Sequence, residues 1–117
     1  MELIAFLGND KETWGQVSAL IKRYRWDKIV LVKNKSADDF SDVNAEVIKI
    51  NSDKPLIELK KELIDKLRSK ITGEFEVALS IASGNGKEHM ALISALLSIP
   101  VGVKLVVFTK EGVEFIN

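Results

Sequence analysis

Short unbroken apolar runs alternate along this chain with segments whose apolar residues recur every three or four positions. Leu3 to Leu7 is an apolar run of strand length, closed by Gly8-Asn9-Asp10, and reads as a buried first strand. Asn9 stands three residues before Glu12, the spacing of an N-cap and its reciprocal partner. Trp14, Val17, Leu20, Ile21 and Tyr24 follow at helical spacing, so Lys11 to Tyr24 is predicted as an amphipathic helix, its basic end Lys22-Arg23-Arg25 suiting a C-terminus. Ile29 to Val32 is a second apolar strand and Ala45 to Ile50 a third. Between them, Asn34 to Asn44 carries Asp38, Asp39 and Asp42 around Phe40. A paired-carboxylate or metal site is conceivable there, but a solvated loop anchored by one aromatic is the simpler reading, and no chemistry is assigned to it.

Pro55 follows Asp53 in the arrangement expected just inside a helix start, and Leu56, Leu59, Leu63, Leu67 and Ile71 keep the helical period up to Gly73 as a stop. Phe75 to Ile81 is a fourth strand. Lys87 to Leu97 is a third helix, carrying Met90, Leu92, Ile93, Leu96 and Leu97, and Pro100 ends it. Val103 to Phe108 is a fifth strand, and Lys110-Glu111-Gly112 before Val113, Phe115 and Ile116 suggests a hairpin into an antiparallel sixth. Parallel neighbours need crossovers, each expected to carry a helix. The expected fold class is therefore α/β: a Rossmann-like three-layer domain with a mainly parallel six-stranded sheet and a C-terminal β-hairpin. The 117 residues suffice for one domain, 1–117.

Composition narrows the chemistry. There is no cysteine, so disulfides, thiolate catalysis and cysteine-based zinc sites are excluded. The single histidine, His89, leaves no basis for a multi-histidine metal site, and no metal or cofactor is expected. Lysines and arginines number 17, as do the acids, which argues against long duplex nucleic acid as a partner. A small polyphosphate needs only a local field. The N-terminus lacks the pattern of a secretory signal, and no apolar run is long enough to span a membrane, so a soluble, cytoplasmic protein with no membrane partner is expected. The bias toward Lys, Glu, Ile, Val and Leu, with Gln16 the one glutamine, is one that thermophile proteins show.

Ser83-Gly84-Asn85-Gly86-Lys87 is the most informative stretch, because it leads from the fourth strand into the third helix. Such a turn aims backbone N–H groups at one spot, where the positive end of the helix dipole adds its field. Two readings stand. In one, the turn seats an anion, and a phosphate lies between Lys87 and the dipole. In the other, Gly84 and Gly86 only make a tight turn, with Lys87 solvated and offset by Glu88. Ligands of doubly wound sheets bind beyond the strands' carboxyl ends, where strand order reverses. If the first strand lies beside the fourth, Gly8-Asn9-Asp10-Lys11 and Ser83 to Lys87 meet at that edge.

Common nucleotide signatures are missing. A dinucleotide fingerprint needs three spaced glycines after the first strand, where only Gly8 stands, and an acid after the second, which ends in Lys33-Asn34. A P-loop needs an earlier glycine and a hydroxyl after Gly86-Lys87, where Glu88 stands. His89, among Met90 and Ile93, reads as a partly buried packing residue rather than a member of a triad.

The combination resembles the CRISPR-associated Rossmann fold (CARF) domains that sense cyclic oligoadenylates. Phe6-Leu7-Gly8-Asn9 is similar to that family's first motif, a strand closing in T-L-G before a polar turn. Ser83-Gly84-Asn85-Gly86-Lys87 resembles its second, [ST]-G-G-x-[KR] leading into an aliphatic helix. Phe6 stands where the family often has a hydroxyl residue, and Asn85 replaces the second glycine. The resemblance implies a homodimer with a cyclic tetra- or hexa-adenylate across its two-fold axis. Ligand contacts would come from Gly8, Asn9, Asp10, Lys11, Ser83, Gly84, Asn85, Gly86 and Lys87, with the N–H groups of Gly84 to Lys87 and the Lys87 ammonium taking phosphate. Asn9, Asp10 or Lys11 would reach ribose or adenine, and apolar residues left over on the last helix would join the dimer interface. Two roles follow, a CRISPR antiviral sensor or a metal-independent ring nuclease in which Lys87 stabilises the transition state. Another nucleotide or phosphometabolite protein on the same scaffold, and a structural domain in which the turn is only a turn, are the alternatives.

Overall fold

The computed structural model describes residues 1–71 and 75–117. The chain runs β1 (Glu2–Leu7), α1 (Trp14–Arg23), β2 (Lys28–Lys33), β3 (Ala45–Lys49), α2 (Leu56–Arg68), β4 (Glu76–Ser80), α3 (Gly86–Ser98), β5 (Gly102–Thr109) and β6 (Gly112–Phe115). The six strands form one sheet in the order β3-β2-β1-β4-β5-β6. All neighbours are parallel except the β5–β6 hairpin. The fold is α/β and Rossmann-like, as the alternation of runs predicts. No helix among the described residues is long and apolar enough to cross a membrane.

The sheet's two faces are covered by different elements, which is why its central strand β1 is apolar from Leu3 to Leu7. From β1, Ile4 and Phe6 point into a core with Leu59, Leu63 and Leu67 of α2 and Ala91, Leu92, Ala95 and Leu96 of α3. Leu3, Ala5 and Leu7 point the other way, against Val17 and Leu20 of α1. A period of two along the strand feeds both layers.

Three details differ from the sequence reading. The β2–β3 crossover carries only a 3-10 turn, Lys35–Ala37, in place of a helix. Aromatic packing makes up the cover: Phe40 meets the Trp14 ring edge-on at 5.8 Å, and buried Lys33 holds the segment by donating to the Phe40 carbonyl. Asn9 does not cap the first helix. A 3-10 turn, Lys11–Thr13, precedes α1 with Asp10 at its N-cap position, and the Asp10 carboxylate does not cap it but accepts from Gly84 N–H. Pro55 is the N-cap of α2 rather than its first residue, and its carbonyl accepts from Leu59 N–H at 3.0 Å. The stop expected at Gly73 lies outside the described residues.

Candidate functional site

Strand order reverses between β1 and β4, whose register pairs Leu3 with Ala78 and Ala5 with Ser80. Continued past the strand ends, that register brings Gly8 opposite Ser83. Gly8 N–H donates to the Ser83 hydroxyl at 2.9 Å, and that hydroxyl donates to Asp10 Oδ1 at 3.0 Å. Gly84 N–H reaches the same oxygen at 3.0 Å, and the Thr13 hydroxyl lies 3.0 Å from Asp10 Oδ2. The two loops are therefore clasped through one carboxylate and one fully buried serine.

Both inner glycines are required by this clasp. A Cβ at Gly8 would lie 2.7 Å from Gly84 Cα, a backbone atom that cannot swing aside. Gly84 has φ of +105°, and a Cβ there would meet Phe6 Cδ1 at 2.7 Å and His89 Nε2 at 2.9 Å. His89 Nε2 donates to the Ser83 carbonyl at 2.7 Å, which places a proton on that nitrogen. Partial burial pushes the Asp10 carboxyl upward, but the donors from Gly84, Ser83 and Thr13 outweigh it and hold the group below its ordinary value.

The α3 N-terminus is closed by a reciprocal cap. Asn85 Oδ1 accepts from Glu88 N–H, and Glu88 Oε1 from Asn85 N–H, both at 2.9 Å. Glu88 is 1% exposed, and its other oxygen accepts from Asn34 Nδ2 at 2.8 Å and from the Ser52 hydroxyl. Lys87, exposed, donates to the Ser52 carbonyl at 2.8 Å. The N–H groups of Gly84 and Asn85, expected to face phosphate, are thus taken by Asp10 and Glu88. Asp10 itself, expected to reach ribose or adenine, is taken up by the clasp. Among the described residues the N–H groups of Gly86 and Lys87 have no acceptor.

A polar cleft of about 440 Å³ opens beside this cap. It is lined from the loops that follow four strands: Asn9 after β1, Asn34 to Ser36 after β2, Asn51 to Asp53 after β3, and Asn85, Lys87 and Glu88 after β4. Of the residues expected at the site, Asn9, Asn85 and Lys87 line it. Gly8, Asp10, Ser83 and Gly84 form the clasp behind it. Lys11 turns away toward Asp39, 3.4 Å distant, and Gly86 borders a second, apolar groove with His89, Met90, Ile93 and Leu97. Asn34 to Ser36 and Asn51 to Asp53 escaped the sequence reading, although polar residues directly after a strand's carboxyl end are the signal that marks such a crevice.

Three amide oxygens of the cleft are spent within the chain, whereas the Asp53 carboxylate, also in its lining, has no hydrogen-bond partner among the described residues. Asn34 Oδ1 accepts from Ser36 N–H, Asn51 Oδ1 from Asp53 N–H, and Asn85 Oδ1 from Glu88 N–H. Because a backbone N–H only donates, these contacts fix the amide orientations. The Nδ2 groups of Asn51 and Asn85, the Asn9 side chain and the Lys35 ammonium remain without hydrogen-bond partners among the described residues. These free donors suit an anionic or acceptor-rich ligand, and the Asp53 carboxylate in the same lining suits a donor group. No group of three or more His, Cys, Asp or Glu among the described residues could hold a metal ion. No protein-family model matches the chain, and no curated protein matches it significantly.

Proposed function

We propose that the chain is a CARF-type sensor domain that binds a cyclic oligoadenylate in the polar cleft, the ring being shared between two copies. The observation that carries this reading is the set of free donors at the switch point, where loops after four strands leave amide and ammonium groups unspent beside the α3 N-terminus. A cyclic tetra- or hexa-adenylate is rich in acceptors and carries a negative charge on every phosphate. Lys87 on the rim and the free N–H groups of Gly86 and Lys87 are its phosphate contacts, and the amides of Asn9, Asn51 and Asn85 its base or ribose contacts. Met90 and Leu97, 60% and 64% exposed, are not consumed in covering the sheet and supply apolar surface for a second copy. A two-fold pair then offers two copies of Lys87 to one ring.

Binding stands ahead of cleavage in this reading. Glu88 and Asp10 have their oxygens occupied by donors, so neither is placed to take a proton from a ribose 2′-hydroxyl. The test is thermal shift and titration with cyclic tetra-adenylate and cyclic hexa-adenylate beside linear oligoadenylate and NAD, followed by product analysis. Selective stabilisation by one ring is the expected result. Lys87→Ala should weaken that ring's affinity by roughly 1.5–3 kcal/mol, about tenfold or more. Linear fragments among the products would make the domain a ring nuclease. Stabilisation by NAD or linear nucleotide instead would favour a phosphometabolite protein, and unchanged affinity in Lys87→Ala would end the proposal.

A further inference from the structure

Asn85, which lines the cleft, is followed by Gly86, and both are exposed. A Cβ built at Gly86 would meet nothing within 4 Å, so no packing requires glycine there, unlike at Gly8 and Gly84. We propose that Asn85–Gly86 is a self-modifying site, at which slow deamidation converts a donor of the cleft into a fixed negative charge. The Gly86 nitrogen attacks Asn85 Cγ; the new N–Cγ bond forms as the Cγ–Nδ2 bond breaks, and Nδ2 leaves as ammonia with the proton from Gly86. Water then opens the five-membered imide at either carbonyl, giving aspartate or isoaspartate. Water is the only co-reactant.

Three features of the structure promote the first step. Gly86 has no side chain to shield its nitrogen, and its N–H has no acceptor among the described residues to give up. The positive end of α3 and the neighbouring Lys87 ammonium ease removal of the Gly86 proton. Glu88 N–H, 2.9 Å from Asn85 Oδ1, is placed to bear the negative charge that grows on that oxygen.

One feature restrains it. The Asn85 backbone is extended, with ψ of 176°, and ring closure requires that angle to turn while the cap holds it. Fraying of the first turn of α3 therefore gates the reaction. The other internal asparagines are each followed by a residue with a side chain: Asn9 by Asp10, Asn34 by Lys35, Asn44 by Ala45 and Asn51 by Ser52. Asn34 is further held through both ends of its amide.

The modification itself does not depend on the ligand. Its consequence does, and rests on the reading of the cleft as a cyclic oligoadenylate site: the product removes the Nδ2 donor and sets a carboxylate beside Lys87. The full chain should be aged in mildly alkaline buffer, with peptide mass mapping of every asparagine and enzymatic detection of isoaspartate. Asn85 is expected to convert first, and Gly86→Ala, which leaves the fold intact, to slow it by about tenfold. An Asn85 that stays amidated while Asn44 or Asn51 converts would overturn the proposal. In the second arm, Asn85→Asp should weaken cyclic tetra-adenylate or hexa-adenylate binding by about tenfold, and unchanged affinity would overturn the switching role. If the unmodified chain binds neither ring, the ligand reading fails, and mass mapping alone decides the modification.

Discussion

Ser83 and Gly84, the first half of the glycine turn, are spent on joining two loops, whereas Gly86 and Lys87, in its second half, leave their backbone N–H groups without acceptors among the described residues. Ser83 is fully buried between Gly8 N–H and Asp10, and Gly84 presses against Phe6 and His89. Three residues later Lys87 is exposed, and Gly86 touches nothing at its Cβ position. One short motif thus divides into a part that assembles two loops and a part that meets solvent. Glycines that look alike in the sequence have opposite tolerances, and only their neighbours across the sheet distinguish them.

The contrast can be broken most directly by adding one methyl group. Gly84→Ala should destabilise the fold by about 3 kcal/mol, from strain at positive φ and from overlap with Phe6 and His89. Gly8→Ala should act in the same direction against the Gly84 backbone, and a denaturant midpoint near wild type for either would refute the clasp. Asp10→Asn comes next. Loss of the charged acceptor for Gly84, Ser83 and Thr13 should cost about 1–3 kcal/mol.

Asp10 also fixes the sign of a pH effect. Its carboxyl is held below its ordinary value in the folded chain, so the stability it contributes is complete above the unfolded value, about 3.9, and is lost as pH falls through the lower folded value. Acid titrations of wild type and Asp10→Asn should therefore converge at the acid end. Parallel curves would show that the carboxylate adds nothing to the clasp. At the tolerant end, Lys87→Ala should change stability by no more than about 0.5 kcal/mol, because its hydrogen bond to the Ser52 carbonyl is exposed. Gly86→Ala should be neutral or gain a few tenths of a kcal/mol from helix propensity, so a loss of about 1 kcal/mol would erase the distinction between the halves.

Much of the fold was legible because the apolar runs are long and their periods distinct. The meeting of the Gly8 and Ser83 loops was expected only on the condition that β1 lies beside β4, and the observed strand order meets that condition. The β2–β3 crossover was less legible, since Phe40 and Ala37 cover the sheet without helical periodicity. At the site, residue types pointed to the sheet edge where strand order reverses but not to the direction of each side chain. Asp10 was expected to face a ligand and instead faces Gly84. Glu88, expected only to offset Lys87, is the buried acceptor that joins Asn34, Ser52 and Asn85. Those assignments depend on cross-strand register and on which donors lie within reach, information that residue spacing along one strand does not carry.

The clasp ties the emergence of the crevice to the order in which the chain becomes structured. Gly8 and Ser83 are separated by 75 positions and Asp10 and Gly84 by 74, whereas β1 can pair with β2 through a single helical crossover. Contacts closed over so long a loop come late and slowly relative to local ones. During synthesis, β1, β2 and β3 can be laid down while no cleft exists. Only when β4 slots in beside β1 do the Asn9 and Lys87 rims come together, so a chain stalled before that step is a partial sheet that no ligand for this cleft can rescue.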